Sequence, residues 1–266
     1  MDKNLQMIEK KEDNIFVKIF KKIKSIFVVK ILRKDINGNI GNNDKVETDV
    51  SKTGSNQLDM VVFDLDGTLW SSDETTYKSV NEYLKLNNYD LEVSFETVKE
   101  TMGCTFDDTA AKFFPGLEKE ERNDLLDKAL AYNNKNILKL GGNVYSNVEE
   151  TLKKLKEKYR LTIVSNCAGG YIEAFLEFSN LGKYFDDFIA AAEAKVTKAD
   201  AIKMIIERNN VETAIYVGDT DKDKMAAEGA DIEFIQALYG FGENLNAAHS
   251  INEFTDLPEM LENISF

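Results

Sequence analysis

Beyond residue 57, short apolar runs alternate with stretches whose apolar residues recur at helical spacing. The runs are bounded by turn residues, which is typical of buried strands, and they lie at residues 60–63, 161–164, 185–191, 214–217 and 232–237. Helical spacing marks residues 148–159, 170–180 and 198–209, and a further helix is expected to start near Met225. Because strands that alternate with helices form right-handed parallel sheets, the pattern predicts an α/β fold with a Rossmann-like parallel sheet core.

Residues 71–145 follow a different pattern. Their apolar residues recur at helical spacing, and no alternation typical of a strand interrupts them. The pattern predicts a compact helical insertion between the first strand of the sheet and the second.

Residues 1–57 are predicted to form an N-terminal basic extension, because they carry 12 Lys and Arg residues against 8 Asp and Glu. Within residues 14–34 there are seven basic residues and no acidic one, and the apolar residues share one face of a helix. Lysines interrupt every window of about 20 residues, which argues against a membrane-spanning helix. No uninterrupted apolar core with a cleavage site indicates a secretory signal.

Two interpretations of residues 14–34 stay open. A basic amphipathic helix can bind an anionic membrane surface or an acidic partner. It can also pack on the acidic body of its own protein, or form a weakly ordered extension. Residues 35–57 are rich in turn formers and predict a linker.

Composition narrows the possible chemistry. The chain of 266 residues has a net charge of −14, which argues against nucleic acid as the main partner. Cys104 and Cys167 form neither a metal-binding spacing nor a disulfide framework, so we expect a reducing, cytoplasmic environment. The single histidine, His249, is distant from any motif and is expected at the surface. Any catalysis is therefore expected to depend on carboxylates.

Polar residues follow three of the predicted strands, and a lysine starts a predicted helix. These candidate residues are Asp64, Asp66, Ser165, Asn166, Lys198, Asp219 and Asp223. Strand ends of a doubly wound sheet can converge on one crevice. Several carboxylates in one crevice favour a hard cation with oxygen ligands, so Mg²⁺ is the expected metal. Such a site, with one lysine and one hydroxyl, suits a phosphate group.

Over roughly residues 58–245 the chain resembles the haloacid dehalogenase superfamily. The motif Asp-x-Asp-Gly-Thr-Leu is matched at residues 64–69, a strand ending in Ser-Asn at 165–166, and Gly-Asp-x-x-x-Asp-x-x-Ala-Ala at 218–227. The helical insertion and the Tyr-Gly-Phe-Gly segment at 239–242 resemble the phosphoglycolate phosphatase-like branch. The resemblance implies a core at 58–70 and 146–266 and a helical cap at 71–145.

The resemblance also implies roles for the matched residues. Asp64 is expected to be the nucleophile that forms an aspartyl phosphate, and Asp66 the general acid and then base. Asp64, Asp219, Asp223 and the main-chain carbonyl of Asp66 are the implied Mg²⁺ ligands. The implied phosphate-binding residues are Thr68, Ser165 and Asn166.

The lysine assignment departs from the family pattern, which commonly has Lys-Pro before the helix that precedes the last motif. This chain has Lys195 and Lys198 and no proline there. Lys198 is the better candidate because it stands at the predicted helix start, whereas Lys195 lies further back in the loop.

Several other residues have both a functional and an ordinary interpretation. Asp187 and Asp221 are expected to be solvated loop acids. Cys167 and Tyr171 follow the Ser-Asn motif and could face the cap, although packing is the commoner role for such residues. The loop at 103–107 could enter the site or remain an ordinary cap loop.

The sequence favours a Mg²⁺-dependent phosphatase for a small phosphorylated metabolite. A phosphomutase of the same fold is the alternative, although residues 71–145 contain no evident second acid–base group. Dehalogenase chemistry is disfavoured because Asp66 is present. A non-catalytic binding protein tethered by its basic helix is the last alternative. The sequence leaves the phosphate ester and the oligomeric state open.

Overall fold

The computed structural model describes residues 57–265. Its strands form one larger and one smaller sheet, and they lie at Met60–Phe63 (β1), Trp70–Ser71 (β2), Asn143–Val144 (β3), Arg160–Ser165 (β4), Asp187–Ala190 (β5), Ala214–Gly218 (β6), Glu233–Ala237 (β7) and His249–Ile251 (β8). The larger sheet is parallel throughout, with the order β5-β4-β1-β6-β7-β8. The predicted α/β fold with a parallel sheet is therefore confirmed.

Helices connect the strands. They lie at Asp73–Leu86 (α1), Phe95–Thr101 (α2), Phe106–Phe113 (α3), Lys119–Leu140 (α4), Val148–Lys156 (α5), Tyr171–Ser179 (α6), Ala191–Ala194 (α7), Lys198–Asn209 (α8), Asp221–Gly229 (α9) and Leu257–Asn263 (α10), with a 3₁₀ turn at Phe254–Asp256. The predicted helix from Lys198 to Asn209 has the same limits in the structure.

Strand β1 occupies the middle of the sheet, and apolar side chains cover both of its faces. Met60 and Val62 belong to a core cluster with residues of α8 and α9. Alternate residues of a strand point to opposite faces, so Phe63 lies on the other side. Its ring packs against Phe185 and Phe254, with ring centroids 6.3 and 5.8 Å apart. This burial on both faces explains the continuous apolar run that precedes Asp64.

Helices α1–α4 lie between β2 and β3 and enclose an apolar cluster of their own. Its buried members include Val80, Leu84, Val98, Phe113 and Leu126. Strands β2 and β3 pair antiparallel at the base of this helical segment, with Trp70 opposite Val144. The predicted helical insertion at residues 71–145 contains α1–α4, and Ser71 and Asn143–Val144 at its ends belong to strands that are too short to show alternation in sequence.

Helix α9 starts at Asp221 and not near Met225 as predicted. The N–H of Asp223 donates to the Thr220 hydroxyl, and the Asp223 carboxylate accepts from the N–H of Thr220. This reciprocal capping begins the helix one turn earlier than its apolar residues indicate. The third predicted strand is shorter than expected, and β8 and α10 were not predicted.

The predicted extension, with its basic segment 14–34 and its linker, lies outside the described residues except for residue 57. Between residues 57 and 265, no helix is both long and apolar enough to cross a membrane. The division into a core and a cap remains a prediction.

Candidate active site

The carboxyl ends of three neighbouring strands, β4, β1 and β6, bring the polar motif residues together. Ser165 ends β4, Asp64 follows β1, and Asp219 follows the last residue of β6. The N–H of Asp64 donates to the carbonyl of Val217 at 2.8 Å, which extends the β1–β6 ladder to the first aspartate. Parallel strands that are neighbours end at the same edge, so residues far apart in sequence share one crevice.

Lys198 connects two of the aspartates. Its Nζ donates to Asp64 Oδ1 at 2.6 Å and to Asp223 Oδ1 at 2.5 Å, and all three side chains are at least 95% buried. Burial alone would lower the pKa of Lys198, but the carboxylates of Asp223 and Asp64 outweigh it and raise that pKa. Lys198 therefore remains charged inside the site.

The two candidate lysines occupy different places. Thr197 caps helix α8 by accepting from the N–H of Asp200 at 3.1 Å, and this cap makes Lys198 the first residue of the helix. Lys195 is exposed and has a left-handed backbone conformation, with φ of 58°. Of the two, the structure brings Lys198 to the carboxylates.

Both carboxylate oxygens of Asp223 accept hydrogen bonds, and Lys198 donates to Oδ1. Its Oδ2 accepts from the N–H of Asp219 at 3.2 Å and from the N–H and hydroxyl of Thr220 at 2.9 and 2.6 Å. Burial would raise the pKa of Asp223, but the charge of Lys198 and these hydrogen bonds lower it below its ordinary value. Asp223 is thus ionised and fixes both Lys198 and the loop that carries Asp219.

Asp219 is fully buried at the closest approach of two loops. Its Oδ2 accepts from the N–H groups of Phe241 and Gly242 at 2.7 and 3.2 Å. A Cβ on Gly67, whose φ is 86°, would lie 2.2 Å from the same oxygen, so this position requires glycine. Burial, and then the charge of Asp223, raise the pKa of Asp219 to about 7.

The donor set fits a divalent cation. Asp64, Asp219 and Asp223 each offer a carboxylate oxygen, and these oxygens lie within 4.8 Å of one another. Asp64 Oδ2 and Asp219 Oδ1 are buried and have no hydrogen-bond partner among residues 57–265. Burial, followed by the charge of Asp223, raises the pKa of Asp64 well above its usual range. A hard cation would satisfy both oxygens and relieve this repulsion.

Asp66 lies outside this three-carboxylate group, and the prediction for its metal contact concerns its main-chain carbonyl. The Tyr171 hydroxyl donates to Asp66 Oδ1 at 2.5 Å, and the same hydroxyl is hydrogen-bonded to Ser72. Burial raises the pKa of Asp66 to about 7, although the bond from Tyr171 opposes the rise. Asp66 can therefore hold a proton near neutral pH.

The hydrogen bond from Tyr171 to Asp66 was not predicted from the sequence, because packing was considered the commoner role of Tyr171. The residue stands at the first position of α6, six residues after Ser165. Its place directly after a motif, at a helix start, was the available signal. A sequence pattern contains no sign that its hydroxyl reaches Asp66.

The three predicted phosphate-binding residues differ in how they are held. Thr68 is fully buried, and its Oγ1 has no hydrogen-bond partner in the described part of the chain. Ser165 is buried and faces the same cavity as Asp66. The Asn166 side chain donates to the carbonyl of Gly103 at 3.0 Å, so it also holds the helical segment.

The loop at 103–107 enters the site. Gly103 accepts from Asn166, and Cys104 Sγ lies 2.9 Å from Lys222 Nζ. Cys104 and Cys167 are both free thiols and line the cavity beside Asp66. The helical segment therefore covers the strand ends at this loop.

One expectation about the other residues was wrong. Asp187 is not a solvated loop acid but a buried residue of β5, where Arg208 binds it through two hydrogen bonds of 2.7 Å. The acid is buried because a cation and an amide on α8 satisfy it. His249 is half-buried in β8, whereas Asp221 is exposed as expected.

Comparisons with known proteins show which family and fold this chain resembles. The family model described as haloacid dehalogenase-like hydrolase matches residues 61–237. A phosphoglycolate phosphatase of Aquifex aeolicus is 28% identical over 222 residues, which cover 77% of this chain and 97% of the relative. Pyrophosphatase PpaX of Bacillus velezensis is 28% identical over 177 residues, covering 64% and 78% of the two chains.

The fold has solved counterparts. A crystal structure of a predicted phosphatase from Clostridium acetobutylicum superposes with a TM-score of 0.64 and 25% identity, and covers 78% of this chain and 100% of that one. The family model spans well over half of the chain, so the predicted superfamily and its phosphoglycolate phosphatase-like branch are confirmed. The chain belongs to the haloacid dehalogenase-like hydrolases.

Proposed function

We propose that this hydrolase is a Mg²⁺-dependent phosphatase that acts on a small phosphorylated metabolite through an aspartyl phosphate on Asp64. Its family and its relatives support phosphomonoester hydrolysis. One observation supports both Mg²⁺ binding and nucleophilic attack by Asp64. Asp64 and Asp219 each have a buried carboxylate oxygen without a hydrogen-bond partner within residues 57–265, beside the charged Lys198.

In the first half of the reaction, an Asp64 oxygen attacks phosphorus and the bond to the leaving oxygen breaks. Lys198 contacts Asp64 and offsets the negative charge that the phosphoryl group brings into the site. Mg²⁺, held by Asp64, Asp219, Asp223 and the main-chain carbonyl of Asp66, would supply further positive charge at the phosphoryl oxygens. Thr68 and Ser165 bind those oxygens through their hydroxyl groups, and Asn166 binds them through its main-chain N–H.

Asp66 acts as the general acid and then as the general base in this proposal. In its protonated form it donates to the leaving alcohol oxygen, and it then accepts a proton from the water that hydrolyses the aspartyl phosphate. Its raised pKa, about 7, suits both steps near neutral pH. The hydroxyl of Tyr171 orients the carboxyl group.

The helical segment at 71–145 acts as a cap in this proposal, over a core at 58–70 and 146–266. Contacts of Asn166 with Gly103 and of Asn134 with the carbonyl of Gly169 support it. A covered site excludes bulk water and large substrates, which suits a small metabolite.

The test is hydrolysis of p-nitrophenyl phosphate with and without Mg²⁺. We expect Mg²⁺-dependent turnover by the full chain and a loss of at least about 10³-fold in Asp64→Asn, because the nucleophile is removed. Asp221→Asn is the matched control, since Asp221 is an exposed acid two residues from Asp219. Absence of Mg²⁺-dependent turnover, or equal activity of Asp64→Asn and the wild type, would overturn the proposal.

A further inference from the structure

A cavity of about 80 Å³ lies between the strand ends and the helical segment. Asp66 and Ser165 line it at the strand ends. Most of the wall surface is apolar, and Met102, Phe106, Phe113 and Leu130 of the helical segment contribute to it. In the proposed reaction the proton donor Asp66 faces the leaving oxygen, so this cavity receives the leaving alcohol.

Within residues 57–265, no cationic side chain lines the cavity. Among the described residues that line it, none is Lys, Arg or His, and the single carboxylate is that of Asp66. Lys198 is engaged by Asp64 and Asp223. Lys222 touches the rim through Cys104, but it lies 3.7 Å from the carboxylate of Asp108, which partly offsets its charge.

This charge distribution selects against an anionic leaving group. A carboxylate or a second phosphate that moves into this cavity loses its hydration and gains no cation in return, which is unfavourable. The lining therefore favours an uncharged alcohol, in contrast to the substrates that the names of the Aquifex and Bacillus relatives specify.

The side-chain oxygen of Asn133, in the cavity wall, can accept a hydrogen bond from a ligand. Asn133 lines the cavity and is only 1% exposed. Its Nδ2 donates to the Thr76 hydroxyl at 3.2 Å, while its Oδ1 has no partner within residues 57–265. A buried amide oxygen without a hydrogen bond is unfavourable, and a hydroxyl on the ligand would supply the missing donor.

We infer that the substrate is the phosphomonoester of a small uncharged alcohol with a second hydroxyl group, and that Asn133 accepts a hydrogen bond from that hydroxyl. This inference rests on the proposed phosphatase function and adds its substrate class. It assigns the substrate specificity to a cavity wall that has no cationic side chain among the described residues.

The decisive substrates are 2-hydroxyethyl phosphate and phosphoglycolate, which differ only in a hydroxymethyl group against a carboxylate. We expect kcat/KM of the full chain with Mg²⁺ to favour hydroxyethyl phosphate by about tenfold or more. Ethyl phosphate, which lacks the hydroxyl, should be slower than hydroxyethyl phosphate. Asn133→Ala should remove that second difference, because it removes the acceptor.

A charge introduced into the wall provides a second test. Leu130→Lys should shift the ratio of the two kcat/KM values towards phosphoglycolate by about tenfold. Leu140→Lys is its control, because Leu140 is in the same helix, 63% exposed and outside the cavity. It should leave the ratio unchanged. If Leu130→Lys does not fold, the ratio of the wild-type kcat/KM values for hydroxyethyl phosphate and phosphoglycolate alone tests the substrate class.

The outcomes separate the two proposals. Preference of the wild type for phosphoglycolate or pyrophosphate, with p-nitrophenyl phosphate also hydrolysed, overturns the substrate class and leaves the phosphatase standing. Equal rates for hydroxyethyl and ethyl phosphate overturn the role of Asn133. Absence of turnover of every ester overturns the phosphatase, and the substrate class with it.

Discussion

Within residues 57–265, a buried carboxylate contacts a cation at Asp187 and at the strand ends, and the two places differ in how the carboxylate oxygens are hydrogen-bonded. At Asp187 each oxygen accepts two hydrogen bonds, from Arg208 and Phe188 on one side and from Arg208 and Asn209 on the other. At the strand ends, Lys198 satisfies one oxygen of Asp64 and one of Asp223, and the second oxygen of Asp64 has no partner among the described residues.

The difference identifies which pair is structural. A fully satisfied buried ion pair has no capacity left for a ligand, whereas unpaired buried oxygens impose a cost that a ligand removes. Both places contain a buried charged side chain, so burial alone does not distinguish them. The unsatisfied oxygens distinguish the candidate active site from the Asp187 pair.

The largest expected effect comes from removing the cation of the active pair. Lys198→Met should lower kcat for p-nitrophenyl phosphate by about 10²–10³-fold, because the positive charge beside Asp64 is lost. Lys195→Met, at an exposed position, is the control and should retain the wild-type rate. Loss of activity in Lys195→Met with Lys198→Met unaffected would reverse the assignment of the lysine.

Mg²⁺ should stabilise the protein by binding the carboxylates at the strand ends and not Asp187. At about 100 times its Kd, Mg²⁺ should raise the free energy of unfolding by about 2.7 kcal/mol, measured as a rise in Tm. Asp187→Asn should show the full rise, since its oxygens are already paired in the wild type. Asp219→Asn should lose most of it. An equal rise in both variants would mean that Mg²⁺ binds elsewhere.

Breaking the structural pair should affect stability and not catalysis. Asp187→Ala should lower the free energy of unfolding by about 2 kcal/mol in urea denaturation. The loss lies below that of a fully buried pair because the Arg208 side chain is 39% exposed and can be solvated. The kcat of the folded variant should equal that of the wild type. A fall in kcat at unchanged stability would assign Asp187 to the active site.

Much of the fold and part of the site could be predicted from the sequence. Strands β1, β4 and β6 are buried on both faces, so their apolar runs are continuous and visible. The limits of α8 follow from local signals, because Thr197 caps it and its apolar residues keep helical spacing. The motif acids follow these strands directly, and strand order then brings them together.

Other features depend on contacts between distant elements. Asp187 resembles a loop acid in sequence because its cation, Arg208, lies on a different element. The contact of Tyr171 with Asp66 depends on how α6 packs against the first strand's loop. Which described residues line the cavity, none of them cationic, depends on which faces of α1–α4 turn inward. Local patterns contain none of this information.

Asp66 is intermediate between the two places, because one of its oxygens accepts from Tyr171. Tyr171→Phe should slow hydrolysis of ethyl phosphate by about tenfold, since the leaving alkoxide needs a well-placed proton donor. Hydrolysis of p-nitrophenyl phosphate should change by less than about twofold, because its leaving group needs little protonation. Tyr184→Phe, which removes a hydroxyl bonded to exposed Glu149, is the control. Equal losses with both esters would show that the Tyr171 hydroxyl supports only packing, and Asp66 would then be positioned by burial alone.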